Sequence, residues 1–154
     1  MATVTGTLYD CGLGNLVGKA PTLKFTLNDP STAALGIYAT APISFTPNGA
    51  GAFTGALVDT ETMHQRRYYT LTVTWLDSAA NFNRVDFPGW KIFVPIAGGK
   101  LQDLIANYSN DGGGWNPMMV FWQPTEPDPW PLGSVWVDTS IDTSTSGDVR
   151  RRKA

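Results

Sequence analysis

Between Tyr69 and Trp75 the chain alternates without a break, with Tyr69, Leu71, Val73 and Trp75 on one side and Thr70, Thr72 and Thr74 on the other. A period of two belongs to a β-strand with one covered face and one polar face. Slipping the pairing by one residue would turn all four large apolar side chains into water, so the register of this segment is strongly specified. The segment commits the chain to a sheet with a buried side, and the rest of the sequence must supply its partners.

Several partners are legible. Val4, Gly6 and Leu8 alternate with Thr3, Thr5 and Thr7, and Leu23, Phe25 and Leu27 alternate with Thr22, Lys24 and Thr26. The first is followed by a Gly/Asn-rich turn over 10–15, and the second stops at Asn28-Asp29-Pro30. Ile37 to Phe45 is a third candidate, demoted to an edge or bulged position by Pro42. After a turn at 47–51, Phe53, Gly55 and Leu57 point one way and Thr54 and Ala56 the other. Asp77 to Asn83 reads as the next turn, and Trp90, Ile92 and Val94 as a strand with Lys91 and Phe93 opposite. Short strands at this spacing, with little helical periodicity, predict an all-β fold, an antiparallel β-sandwich.

From Gly98 the character changes. Leu101, Leu104 and Ile105 predict one or two helical turns, 110–114 a glycine loop, and Met118 to Trp122 one more strand. Pro124, Pro127, Pro129 and Pro131 then crowd together, which predicts an extended segment outside any sheet interior. A strand-like piece at 133–139, a Ser/Thr/Asp loop and a basic end at 150–153 follow. The expected organisation is a sandwich over 1–98, a helical turn, glycine loop and strand over 99–123, and a Pro/Trp-rich C-terminal arm with a basic tail over 124–154.

Composition narrows the function classes. Of 154 residues, 42% are hydrophobic and 16% charged, enough apolar surface to order one domain. A net charge of -2 offers no electrostatic argument for nucleic acid or an acidic membrane surface. No apolar run approaches a membrane span, and the opening residues lack a basic stretch followed by an apolar run, so neither a membrane anchor nor a secretory signal is expected. One cysteine, Cys11, and one histidine, His64, leave no material for a disulfide or the usual zinc site.

No catalytic, cofactor-binding or metal-ligating residue emerges, and the chain is expected to be no enzyme. His64 has no visible nucleophile partner and Cys11 nothing that would lower its pKa, so a small hydrolase built on either is the weakest reading. The glycines at 12, 14 and 18 are followed by Lys19-Ala20-Pro21 rather than a helix, which removes the phosphate-cradle reading. Asp59 with Glu61, and Glu126 with Asp128, are acidic pairs of the kind turns carry for backbone hydrogen bonding. Asn110-Asp111-Gly112 lacks a calcium loop's spaced ligands, and Arg150 to Lys153 reads as a solvated tail or a contact with an acidic neighbour. The more informative residues are Trp115, Trp122, Trp130 and Trp136, which crowd into the proline- and glycine-rich third of the chain. Either they anchor an interface with a partner, or they fold back on the sandwich as a lid.

Several stretches carry a family resemblance. Residues 4–10, a glycine turn and 21–25, continued by the Gly-x-Phe element within 47–57, resemble the opening of transthyretin-like (prealbumin-like) sandwiches, which leaves a transthyretin-like or immunoglobulin-like body as the expectation. Residues 68–75 with 86–95 are similar to N-terminal modules of minor tail proteins in phages of actinobacteria, and Pro131 to Ser140 with 147–149 resembles a short element of phage tail and fibre proteins. The resemblance implies a virion structural protein, a minor tail or tail-tip adaptor assembled in the host cytoplasm. Its partners would be other virion tail proteins in a homo-oligomer, trimeric in the manner of tail tips. It carries no catalytic residues. Without a collagen-like or coiled-coil shaft or a depolymerase domain, a compact tip, adaptor or decoration role is favoured over receptor binding. The alternatives are a head decoration or fibre protein, or a carbohydrate-binding module reading host surface glycans on Trp90, Trp115 or Tyr108.

Overall fold

The computed structural model describes residues 1–33, 36–65, 67–109, 119–128, 134–140 and 147–151, with the backbone alone at 106–109 and 151. Its strands are β1 (Ala2–Thr7), β2 (Thr22–Leu27), β3 (Ser31–Ala33), β4 (Gly36–Tyr38), β5 (Ile43–Phe45) and β6 (Ala52–Leu57). They continue with β7 (Tyr69–Leu76), β8 (Phe82–Asp86), β9 (Gly99–Lys100), β10 (Val120–Gln123), β11 (Val135–Asp138) and β12 (Val149–Arg151). One helix, α1 (Leu101–Ser109), follows β9.

The protein is an all-β sandwich. The larger sheet runs β12-β11-β10-β8-β7-β2-β5, and the smaller runs β6-β1-β9. Pairing is antiparallel except between β10 and β11 and between β1 and β9. The alternating segment, β7, sits inside the larger sheet, and its four apolar residues are buried as the sequence predicted. Register carries one inward row across all seven strands: Phe45, Leu23, Val73, Val85, Phe121, Trp136 and finally Arg150 at the open edge.

The smaller sheet covers this inner face through Val4, Phe53 and Leu57. Where the sheets meet, glycine makes room for a ring: a side chain at Gly55 would begin 2.1 Å from the Phe45 ring. Within the smaller sheet, one at Gly6 would begin 2.7 Å from the ring of its cross-strand partner Phe53. Phe25, Phe45 and Phe53 then meet at centroid distances of 5.1–6.4 Å, the range of favourable tilted ring contacts. One end of the sandwich is plugged by two short 3-10 turns, Leu8–Cys11 and Gly14–Leu16, where turns were expected. Thr7 and Asp10 cap the first reciprocally, and Leu8, Cys11, Leu13 and Leu16 are buried beneath it. In α1, the expected Leu101 and Leu104 are buried and Ile105 packs against the core.

Three sequence expectations need correction. The turn after β7 ends at Asn81, because the Asp77 carboxylate accepts from the backbone N–H groups of Ala79 and Asn81, both at 2.9 Å. Phe82–Asp86 is a strand whose pattern is inverted: Asn83 faces inward, donating to the Asn81 carbonyl, while Phe82 is 59% exposed. Residues 90–94 keep the predicted alternation, with Trp90, Ile92 and Val94 buried, yet make only a single bridge, Ile92 to Tyr69. Pro88 and Pro95 flank the segment and cannot donate to a ladder. Finally, residue 98 is no limit of the sandwich. β9 pairs with β1 and β10 with β8, so the described parts of 99–154 supply three of the seven strands in the larger sheet. The Ile37–Phe45 candidate splits, with β4 pairing β3 and β5 taking a sheet edge, as Pro42 required.

Candidate functional site

The outer face of the larger sheet is where its two halves differ. One outward row reads Thr22, Thr74, Arg84, Trp122, Val137 and Val149 across the strands, and the next reads Lys24, Thr72, Asp86, Val120 and Val135. Threonine and lysine therefore stand on β2 and β7, and valine and tryptophan on β10, β11 and β12. β8 carries the seam between them. Asp86 Oδ1 accepts from Thr72 Oγ1 at 2.7 Å, and Arg84 Nε lies 3.0 Å from Asp86 Oδ2. The Arg84 guanidinium in turn sits 4.8 Å from the centre of the Trp122 ring, a cation–π distance that fixes the indole against its cross-strand neighbour. At the β12 edge, which pairs with no further described strand, Val149 is 67% exposed.

The four tryptophans expected as anchors have different fates. Trp115 and Trp130 lie outside the described residues. Trp122 stands half-buried on the outer face. Trp136 points inward, 5% exposed, with its Nε1 donating to the Gln123 carbonyl at 2.8 Å and Arg150 at 5.4 Å from its ring. It is a core residue of this chain, and the fold-back reading holds for it. The reason is parity: β11 reads Val-Trp-Val-Asp, and burying Trp136 with Asp138 sends Val135 and Val137 outward. Sequence reasoning passed over those valines. The available signal was a strand apolar on both sides, which asks for cover on both.

Other candidates resolve more simply. Cys11 is buried in the core, and burial, with Asp10 nearby, pushes its thiol up to about 12, so it stays protonated. His64 is exposed on its loop, its backbone N–H donating to the Thr32 carbonyl at 3.0 Å. Asp59 accepts from Thr62, which holds its carboxyl below the ordinary range, and Glu61 accepts from the Ile96 N–H at 3.0 Å. Glu126 and Asp128 share a cleft of about 200 Å³ with Asp77. Hydrogen bonds from Asn81 keep Asp77 below its ordinary range, the opposite of what a proton-donating carboxyl requires. Of the expected sugar platforms, Trp90 is 6% exposed and stacked on Phe87 at 4.1 Å, and the side chains of Trp115 and Tyr108 lie outside the described set. Among the described residues no group of three His, Cys, Asp or Glu is placed to hold a metal ion, and no helix is long and apolar enough to cross a membrane. Arg150 pairs with Asp148 at 3.7 Å, while 152–154 lie outside the described residues.

Compared with known proteins, the sequence matches no family model and no curated protein.

Proposed function

We propose that the chain is a non-enzymatic structural protein of a phage virion, a minor tail or tail-tip adaptor that docks on neighbouring subunits, its own copies among them. The observation that carries the docking part is the apolar outer face of Val120, Trp122, Val135, Val137 and Val149, ending at β12, whose outer side pairs with no other described strand. The half of the same face on β2 and β7 carries threonine and lysine at the matching positions instead. An apolar patch running to an open strand edge suits a partner that covers the face and extends the sheet. The tail assignment itself rests on the sequence resemblance, and the sandwich supplies the rigid body such an adaptor uses. Trp122 takes the anchoring role foreseen for the tryptophans, with the valines around it in place of Trp136.

The test is the solution mass of the purified chain, alone and mixed with the products of its neighbouring genes. The double replacement Val137→Thr with Val149→Thr keeps the β-branched shape while removing apolar surface. It is expected to fold normally and to lose partner binding or self-association. Unchanged assembly of that variant, or a wild-type chain that remains a monomer with every tail protein tried, overturns the proposal.

A further inference from the structure

At the end of the sheet where β8 begins and β10 and β11 finish, the outer face opens into a groove of about 490 Å³. Phe82, Trp122 and Pro124 form its apolar walls, with the Arg84 guanidinium against the indole. Asn81 stands on one rim, and Thr139 and Ser140 on the other. Arg84 and Trp122 are held within β8 and β10, Phe82 begins β8, and the Asp77 carboxylate fixes the turn that carries Asn81.

We infer that this groove binds a neutral saccharide unit of an oligosaccharide chain. The volume lies in the range of small-ligand sites. Two aromatic side chains, one of them the exposed Phe82, offer surfaces to the C–H face of a sugar ring, as aromatic rings do to other apolar faces. Five of the seven lining side chains carry hydrogen-bonding groups, an amide, two hydroxyls, a guanidinium and an indole N–H. Apolar walls with polar groups beside them suit a ring that presents both C–H faces and hydroxyls. No carboxylate lines the groove among the described residues, and Asp86 offsets the charge of Arg84, so the ligand is expected to be neutral.

The experiment titrates the full chain with neutral hexasaccharides of glucose, mannose, xylose and N-acetylglucosamine, following tryptophan fluorescence and backbone amide NMR shifts. At least one is expected to saturate, shifting Asn81, Phe82 and Thr139. Phe82→Ala, at a site too exposed to hold the core, is expected to weaken binding by about tenfold or more. Trp122→Ala is expected to do the same, and Ile37→Ala, on the far hairpin, to change nothing. No binding by any of the four, binding indifferent to Phe82→Ala, or a groove that takes only a proline-rich peptide overturns the inference. Phe82 lies outside the valine face, so loss of sugar binding with assembly intact, or the reverse, separates this site from the docking role.

Discussion

On β2 and β7 the outer face of the larger sheet carries Thr22, Lys24, Thr26, Thr70, Thr72 and the buried Thr74, whereas on β10, β11 and β12 it carries Val120, Trp122, Val135, Val137 and Val149. Threonine and valine are nearly the same shape, both are stiff at χ1, and both suit a pleated strand. Strand formation therefore does not choose between them. Their difference is hydration: a threonine hydroxyl is satisfied by water, and a valine methyl gains only when something covers it. Meanwhile the inner row is apolar through both halves up to Arg150 at the edge. The comparison teaches that one sheet has a single interior and two exteriors, one suited to solvent and one to a neighbour.

The strongest way to break this picture is Trp136→Ala. If β11 belongs to the same interior as β7, removing its indole costs about 3–5 kcal/mol in urea unfolding. A loss below about 1 kcal/mol would mean that the C-terminal strands do not share the core, and the two exteriors would belong to separately stable parts. Thr72→Val sharpens the position of the seam. It removes the hydrogen bond to Asp86 and is expected to cost about 0.5–1.5 kcal/mol by chemical denaturation, with the solution mass unchanged. Increased self-association would move the apolar half onto β7. The smallest effect concerns the turn that links the halves. Asp77 is held below its ordinary carboxyl range by its hydrogen bonds. Its contribution is therefore present above the unfolded pKa and lost as pH falls through the lower folded value. Melting temperatures measured from pH 5 down to pH 2 should show a slightly shallower decline in Asp77→Asn than in the wild type.

Legibility followed the same division. Strands with one apolar and one polar face, such as β1, β2 and β7, announced themselves. β8 did not, because Asn83 occupies an inward position and Phe82 an outward one, and periodicity alone then points the wrong way. The stretch at 90–94 shows the converse: its side chains alternate as read while its flanking prolines prevent a ladder. The candidate surface was half legible. The tryptophan cluster drew attention to the right third of the chain, but which indole faces outward depends on register. Trp122 stands opposite Val137 on the outer face, and Trp136 opposite Phe121 on the inner face, because β10 and β11 run parallel with Val120 opposite Val135.

The residues by themselves determined an all-β chain with one buried sheet face, a proline-marked edge, a helical turn after Gly98, and a lone cysteine without a pairing partner. These follow from local rules, since alternation, ring closure in proline and cysteine count need no knowledge of distant neighbours. Tertiary structure decided that residues beyond 98 complete the larger sheet, that Trp136 is interior while Val135 and Val137 are exterior, and that Phe82 meets Trp122 across a groove. Those outcomes depend on strand order and register, set by contacts between residues far apart in sequence. A single strand that is apolar on both faces cannot announce which face it will bury.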